Sequence, residues 1–152
     1  MRLIAVLGLL FFGSPAQAQG TFIPFSGYWS GTASGEVTAS VVEKLHCTSN
    51  NAVGANGSAM KIILRCANKS GASLHIHAAF TQTVGKISGS WEERTYQVAG
   101  GISGSLNDAA LIAQVSSPNF SARISVRRMG KLLNISLVPT SGTGRFSVTM
   151  IQ

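Results

Sequence analysis

Beyond residue 18 the chain has no stretch with apolar residues at the three-to-four spacing of an amphipathic helix. It carries short alternating runs of Val, Ile, Thr and Ser, separated by Gly, Asn, Asp and Pro. Successive side chains of a strand point to opposite faces, so this period-two pattern restricts the chain to β structure. Ten runs are read as strands: residues 27–33, 36–47, 59–66, 73–80, 86–95, 100–106, 109–116, 119–128, 131–138 and 145–150. Ser34-Gly35 is read as the first joint, and residues 50–58 (NNAVGANGS) as a turn-rich loop. Within that loop Asn56-Gly57 is the expected type I′ pair, because both residues tolerate positive φ. Met129-Gly130 and Asn107-Asp108 suggest further tight hairpins, and Ser117-Pro118 ends the seventh strand because Pro removes a ladder donor. The expected fold is all-β, a single antiparallel meander of about eight to ten strands. It is either a closed barrel or a β-sandwich, since periodicity does not encode strand order.

One short motif recurs. Trp29-Ser30-Gly31, Ile87-Ser88-Gly89-Ser90-Trp91 and Ile102-Ser103-Gly104-Ser105-Leu106 each set a glycine close to a large apolar residue. Gly within a strand permits bending or close backbone approach, so the repeats are read as devices of curvature. The functional alternative is that Trp29 and Trp91 line a ligand pocket or form a carbohydrate platform.

The N-terminus reads as an export signal: Arg2, the apolar run 3–12, the breakers Gly13 to Pro15, then Ala16-Gln17-Ala18. Cleavage is expected before Gln19. The apolar run is ten residues, against the roughly 20 that a spanning helix needs. The expected organisation is thus a signal peptide at 1–18 and one β domain at 19–152, with no transmembrane segment after cleavage. Two cysteines in an exported chain imply a bridge between Cys47 and Cys66. Closing the eighteen-residue loop between them contributes about 3 kcal/mol in the chain-entropy picture.

The chain is basic, with twelve Lys and Arg against five Asp and Glu. Its one basic cluster, Arg123, Arg127, Arg128 and Lys131, has no interleaved aromatics of the kind that stack on bases. Nucleic acid is therefore not an expected partner. A solvated patch is the plainer reading, and contact with an envelope polyanion the functional one.

The segments Phe25-Ser26-Gly27-Tyr28-Trp29-Ser30-Gly31, Glu43 four residues before Cys47, and Leu64-Arg65-Cys66-Ala67 form a pattern. Gly89-Ser90-Trp91-Glu92-Glu93, Ser103-Gly104 and Pro118-Asn119-Phe120-Ser121-Ala122 continue it in the same order. This pattern resembles a set of small secreted proteins of alphaproteobacteria, over nearly the whole mature chain. The resemblance implies a periplasmic or secreted bacterial protein with that disulfide, and carries over no catalytic residues. His75-Ile76-His77 departs from it. A looser likeness to calycin barrels rests on Gly27-Tyr28-Trp29 and the strand count.

His75 and His77 are the sharpest chemical candidates. At i and i+2 on a strand they share a face, so two imidazoles can meet one metal. Glu92, Glu93, Asp108 and His46 are the available further ligands, but no spacing brings one of them there. Leu74, Ile76 and Ala78 would form the opposite, core face, which suits solvent-facing histidines. Glu92 and Glu93 are adjacent on a strand and point to opposite faces; the inward one is expected to pair with Arg65 or Arg94. There is no Gly-x-Ser-x-Gly elbow and only one Asp, Asp108, so nucleophilic hydrolysis is not expected.

The expectation is a non-enzymatic, exported β-barrel without a cofactor, binding a small amphipathic molecule or an envelope protein or glycan. The alternatives are an interaction or assembly accessory, or inhibitor, that has no cavity and acts through 50–58 and the turn near Arg128, and a metal-dependent enzyme built on His75 and His77.

Overall fold

The structure, a computed structural model, describes residues 21–38, 41–108, 110–140 and 144–152. The expected leader at 1–18 lies outside them. A short 3-10 turn, η1 (Ile23–Phe25), precedes ten strands. These are β1 (Gly27–Thr38), β2 (Val41–Val53), β3 (Ala59–Ala67), β4 (Ser73–Thr83) and β5 (Lys86–Glu93), then β6 (Val98–Leu106), β7 (Ala110–Ser117), β8 (Phe120–Met129), β9 (Leu132–Pro139) and β10 (Phe146–Ile151). Each strand pairs antiparallel with the next, and β10 closes onto β1 from Ser30↔Ile151 to Gly35↔Phe146. The fold is thus a barrel and not a sandwich. Because the strands alternate in direction, η1 and the β2–β3, β4–β5, β6–β7 and β8–β9 turns share one end. The other turns lie at the opposite end.

At the repeated motif the strands approach one another too closely for a side chain. A side-chain carbon placed on Gly31, Gly89 or Gly104 would stand 1.9, 2.1 and 2.2 Å from the carbonyl oxygens of Thr149, Ala79 and Ile112 on neighbouring strands. Any larger residue there would push two strands apart, so these glycines permit the curvature of a small barrel.

The alternation runs apolar-in, polar-out. Leu45 and Cys47 of β2, Leu64 and Cys66 of β3, Ile102 and Leu106 of β6, and Val148 and Met150 of β10 fill the interior. Thr32, Lys44, His46, Lys61, Arg65, Glu92, Arg123 and Arg127 are exposed on the outer wall. Cys47 and Cys66 face each other across β2 and β3 and form the expected disulfide, buried on the inner side of the wall.

Several local expectations need correction. Ser34-Gly35 is not a turn: β1 continues through it, and the Ser34 and Ser147 hydroxyls hydrogen bond across to β10 at 3.0 Å. Pairing with β10 on one side and β2 on the other holds this Gly-containing stretch extended. Residues 50–53 belong to β2, which leaves 54–58 as the turn. In that turn Gly57 has φ +72° but Asn56 does not share the left-handed region, and its carboxamide accepts from the Ser58 amide instead. Asn56-Gly57 is therefore not a type I′ pair. Positive φ at both central residues occurs at Val84-Gly85, with φ 51° and 74°, where β4 and β5 meet with two residues between them. The β8–β9 hairpin turns on Gly130 and Lys131, one residue later than expected, with φ +60° at Gly130.

The end near β1 is closed by an element absent from the strand reading. Pro24 sits in the first turn of η1, where its missing N–H costs nothing. The turn folds Phe22 and Phe25 under the barrel, fully buried beside Trp29. Trp29 Nε1 and Asn51 Nδ2 both donate to the Phe25 carbonyl, at 3.1 and 2.8 Å. The Phe22 amide donates to the Gly57 carbonyl at 2.9 Å. The 54–58 turn, expected as a contact surface, is the clasp of this plug.

Candidate functional site

Above the plug the barrel is not filled. A cavity of about 130 Å³ lies along its axis, walled by side chains of every strand from β2 to β9. The inward positions supply Met60, Ile62 and Leu64 of β3, Ile76, Ala78 and Phe80 of β4, Trp91 of β5, Ala113 and Val115 of β7, and Leu133, Ile135 and Leu137 of β9. Ser49 and Asn51 are the two hydroxyl- or amide-bearing side chains in this lining, both next to the plug. They satisfy one another, since the Ser49 hydroxyl donates to Asn51 Oδ1 at 2.6 Å while Asn51 holds Phe25. What remains is an apolar chamber.

The two expected tryptophans have different places. Trp29 is not part of the chamber lining; its indole is locked into the plug, and the Arg128 guanidinium lies 5.9 Å from its ring centre. Trp91 does line the chamber, with its ring edge-on to Phe120 at 6.2 Å. Trp91 Nε1 is buried and has no hydrogen-bond partner among the described residues. A buried donor without an acceptor is costly, of order 1–3 kcal/mol, and uncommon in native proteins.

His75 and His77 lie on the outer wall, since Leu74, Ile76 and Ala78 take the inward positions. Their Nε2 atoms are 2.9 Å apart, so one ring donates and the other accepts, which requires at least one neutral imidazole. Burial, then the positive charges of Arg65, His77 and Arg94, hold the His75 pKa below the ordinary histidine range against the opposing pull of Glu93. Glu92 approaches the other nitrogen of His77, Nδ1, at 3.7 Å and also meets Arg94 at 3.7 Å. The donors therefore do not converge on one point. Asp108 is at the η1 end and His46 on β2, and no group of three or more His, Cys, Asp or Glu side chains converges as a metal site among the described residues.

Glu93 is the inward carboxylate, but its partners are not Arg65 or Arg94. It accepts three backbone N–H groups, from His75 at 2.8 Å, Thr95 at 3.1 Å and Tyr96 at 2.6 Å. Burial alone would push its pKa up; the hydrogen bonds from His75, Tyr96 and Thr95 outweigh it and hold the carboxyl below its ordinary range. Its work is to tie the 94–97 turn to β4. The basic cluster is divided: Arg123 and Arg127 are exposed on the outside of β8, Lys131 is in the turn, and Arg128 folds inward over Trp29 with its Nε donating to the Gly130 carbonyl. The four do not form one polyanion surface.

Sequence reasoning missed the plug, and of the chamber lining it named only Trp91. The cluster Phe22, Pro24, Phe25 ahead of the first strand was the available signal for the plug. The remaining chamber walls carried none, because they read as ordinary core.

No protein-family model matches the chain, and no curated protein matches it. Among solved structures it is similar to the crystal structure of Rv2717c from M. tuberculosis, with a TM-score of 0.68 over 85% of this chain and 92% of that one. The identity is 11%, so the likeness is one of fold.

Proposed function

We propose that this chain is a non-enzymatic carrier or sensor that holds one small, largely apolar molecule inside its barrel, in an extracytoplasmic compartment. The buried Cys47–Cys66 disulfide favours the compartment, since such bridges persist where the surroundings are oxidising. The observation that carries the binding reading is the chamber itself. A core sealed for stability alone would be packed to near-crystalline density, whereas here about 130 Å³ stays open among apolar walls. For scale, an engineered apolar cavity of about 150 Å³ in another protein binds benzene or xenon. The chamber thus suits a ligand of single-ring size.

Trp91 Nε1 adds one chemical requirement, an acceptor such as a carbonyl or ether oxygen to meet the unpartnered donor. The ligand is mostly apolar with one polar atom, a modest form of the amphipathic molecule expected from the sequence. The absence of any carboxylate, imidazole or free thiol from the described lining supports a binding role over a catalytic one.

The test is uptake. Native mass spectrometry of protein purified from its own host is expected to show a carried molecule, or, for empty protein, benzene or cyclohexanone is expected to raise the melting temperature and shift the methyl resonances of Ile76, Val115 and Leu137. Ala78→Leu, which fills the chamber, should abolish the shifts. A bare native mass together with no response to either probe would overturn the proposal.

A further inference from the structure

At the η1 end, four consecutive strands around the barrel each turn a large apolar residue outward. These are Tyr28 of β1, Ile151 of β10, Leu132 of β9 and Met129 of β8, at 61, 56, 40 and 57% exposure. The register makes them neighbours: Met129 pairs with Leu132 and Leu132 with Ile151, while Ile151 faces Ser30, two residues along β1 from Tyr28. Ile23 of the plug is exposed at the same end. Elsewhere these strands are mainly polar outside, with Thr32, Thr149, Ser136, Arg127 and Arg123 exposed, and Val138 at the far end of β9 is the one large apolar exception among the described residues. The apolar rim is therefore a local departure from the alternation and is not forced by the barrel.

Charge is distributed to match. Lys131 projects from the turn within this rim, and Arg127 stands two residues above Met129 on the same face. Among the acidic residues with described side chains, Glu43, Glu92 and Glu93 belong to the opposite end of the barrel, and Asp108 alone shares the η1 end. An apolar row edged by cations, with the anions kept at the far pole, is complementary to an anionic lipid surface. The apolar side chains and the amphipathic tyrosine ring enter the headgroup boundary, while Lys and Arg meet phosphates. The barrel itself does not span, for its outward alternation is the reverse of a membrane barrel's apolar band.

We propose that this rim docks the protein peripherally on anionic phospholipid bilayers, plug end down. The reading is independent of the chamber. Co-sedimentation with vesicles of phosphatidylethanolamine and phosphatidylglycerol is expected to retain the protein, with binding weakened by salt; vesicles of phosphatidylcholine should not retain it. R127E/K131E should lose about tenfold or more in affinity, and M129S/L132S/I151S a comparable amount, both with unchanged circular dichroism. K44E/K69E makes the same change of net charge at the opposite end and should bind close to wild type. The proposal is overturned if the phosphatidylglycerol vesicles retain nothing. It is equally overturned if K44E/K69E weakens binding as much as R127E/K131E, which would make net charge the cause. Equal retention of all variants would assign binding to another segment such as the leader, and also overturns it.

Discussion

The two ends of this barrel are built on different principles. At the η1 end the interior residues Phe22, Phe25, Trp29, Leu133 and Met150 are almost wholly removed from solvent. A single carbonyl, that of Phe25, gathers two side-chain donors beneath them. At the opposite end Leu45, Cys66, Val115 and Ala122 are buried but the larger inward residues Leu74, Ile76, Trp91, Phe120, Leu137 and Phe146 are half-buried, and Glu93 secures the 94–97 turn through backbone amides. One end is held by apolar packing around aromatic rings, the other by a charged hydrogen-bond cap. The chamber thus stands on a packed floor at the η1 end.

That contrast can be broken at the floor first. Trp29→Ala removes the largest fully buried side chain and one of the two donors to the Phe25 carbonyl and is expected to cost about 3–5 kcal/mol, measured by urea unfolding. A smaller loss would mean that η1 is dispensable. The wall comes next: C47A/C66A should cost about 3 kcal/mol under the same assay, without altering the plug.

At the upper end, Glu93→Gln should cost about 1–3 kcal/mol and raise amide exchange selectively at 94–97. The wild type should show the matching pH dependence. Because the Glu93 pKa is depressed on folding, its stabilisation is fully present above the ordinary value of about 4.5 and is lost as the pH falls through the folded value. Glu93→Gln should flatten that part of the stability profile. The smallest effect sharpens the floor. Val84 is exposed and held at φ 51° in the β4–β5 turn, a region that disfavours β-branched residues. Val84→Asn is expected to stabilise the protein by about 0.5–1 kcal/mol, read as a rise in melting temperature.

How much was legible follows the range of the interactions. All ten strand cores were visible because alternation is local, but the β1–β2 joint was misplaced. Ser34-Gly35 carries turn residues, and only partners on β2 and β10 keep it extended. The type I′ site was assigned to Asn56-Gly57 on propensity, whereas the twist of two strands imposes it on Val84-Gly85 despite the cost to valine. His75 and His77 were read correctly as an outward pair, since period two alone decides that. The two tryptophans could not be separated: both sit in Gly-containing strands, and only the height of each in the barrel sends one to the plug and the other to the chamber.

The sequence by itself determined the β class, the disulfide partners, the glycines that permit curvature and the faces on which side chains stand, because each depends on residue type and period. Tertiary structure alone decided that β10 meets β1, that Phe22 and Phe25 seal one end, and that the walls enclose space. Those outcomes depend on the diameter of the closed sheet and the summed volume of side chains converging from ten strands, a quantity that no single segment contains.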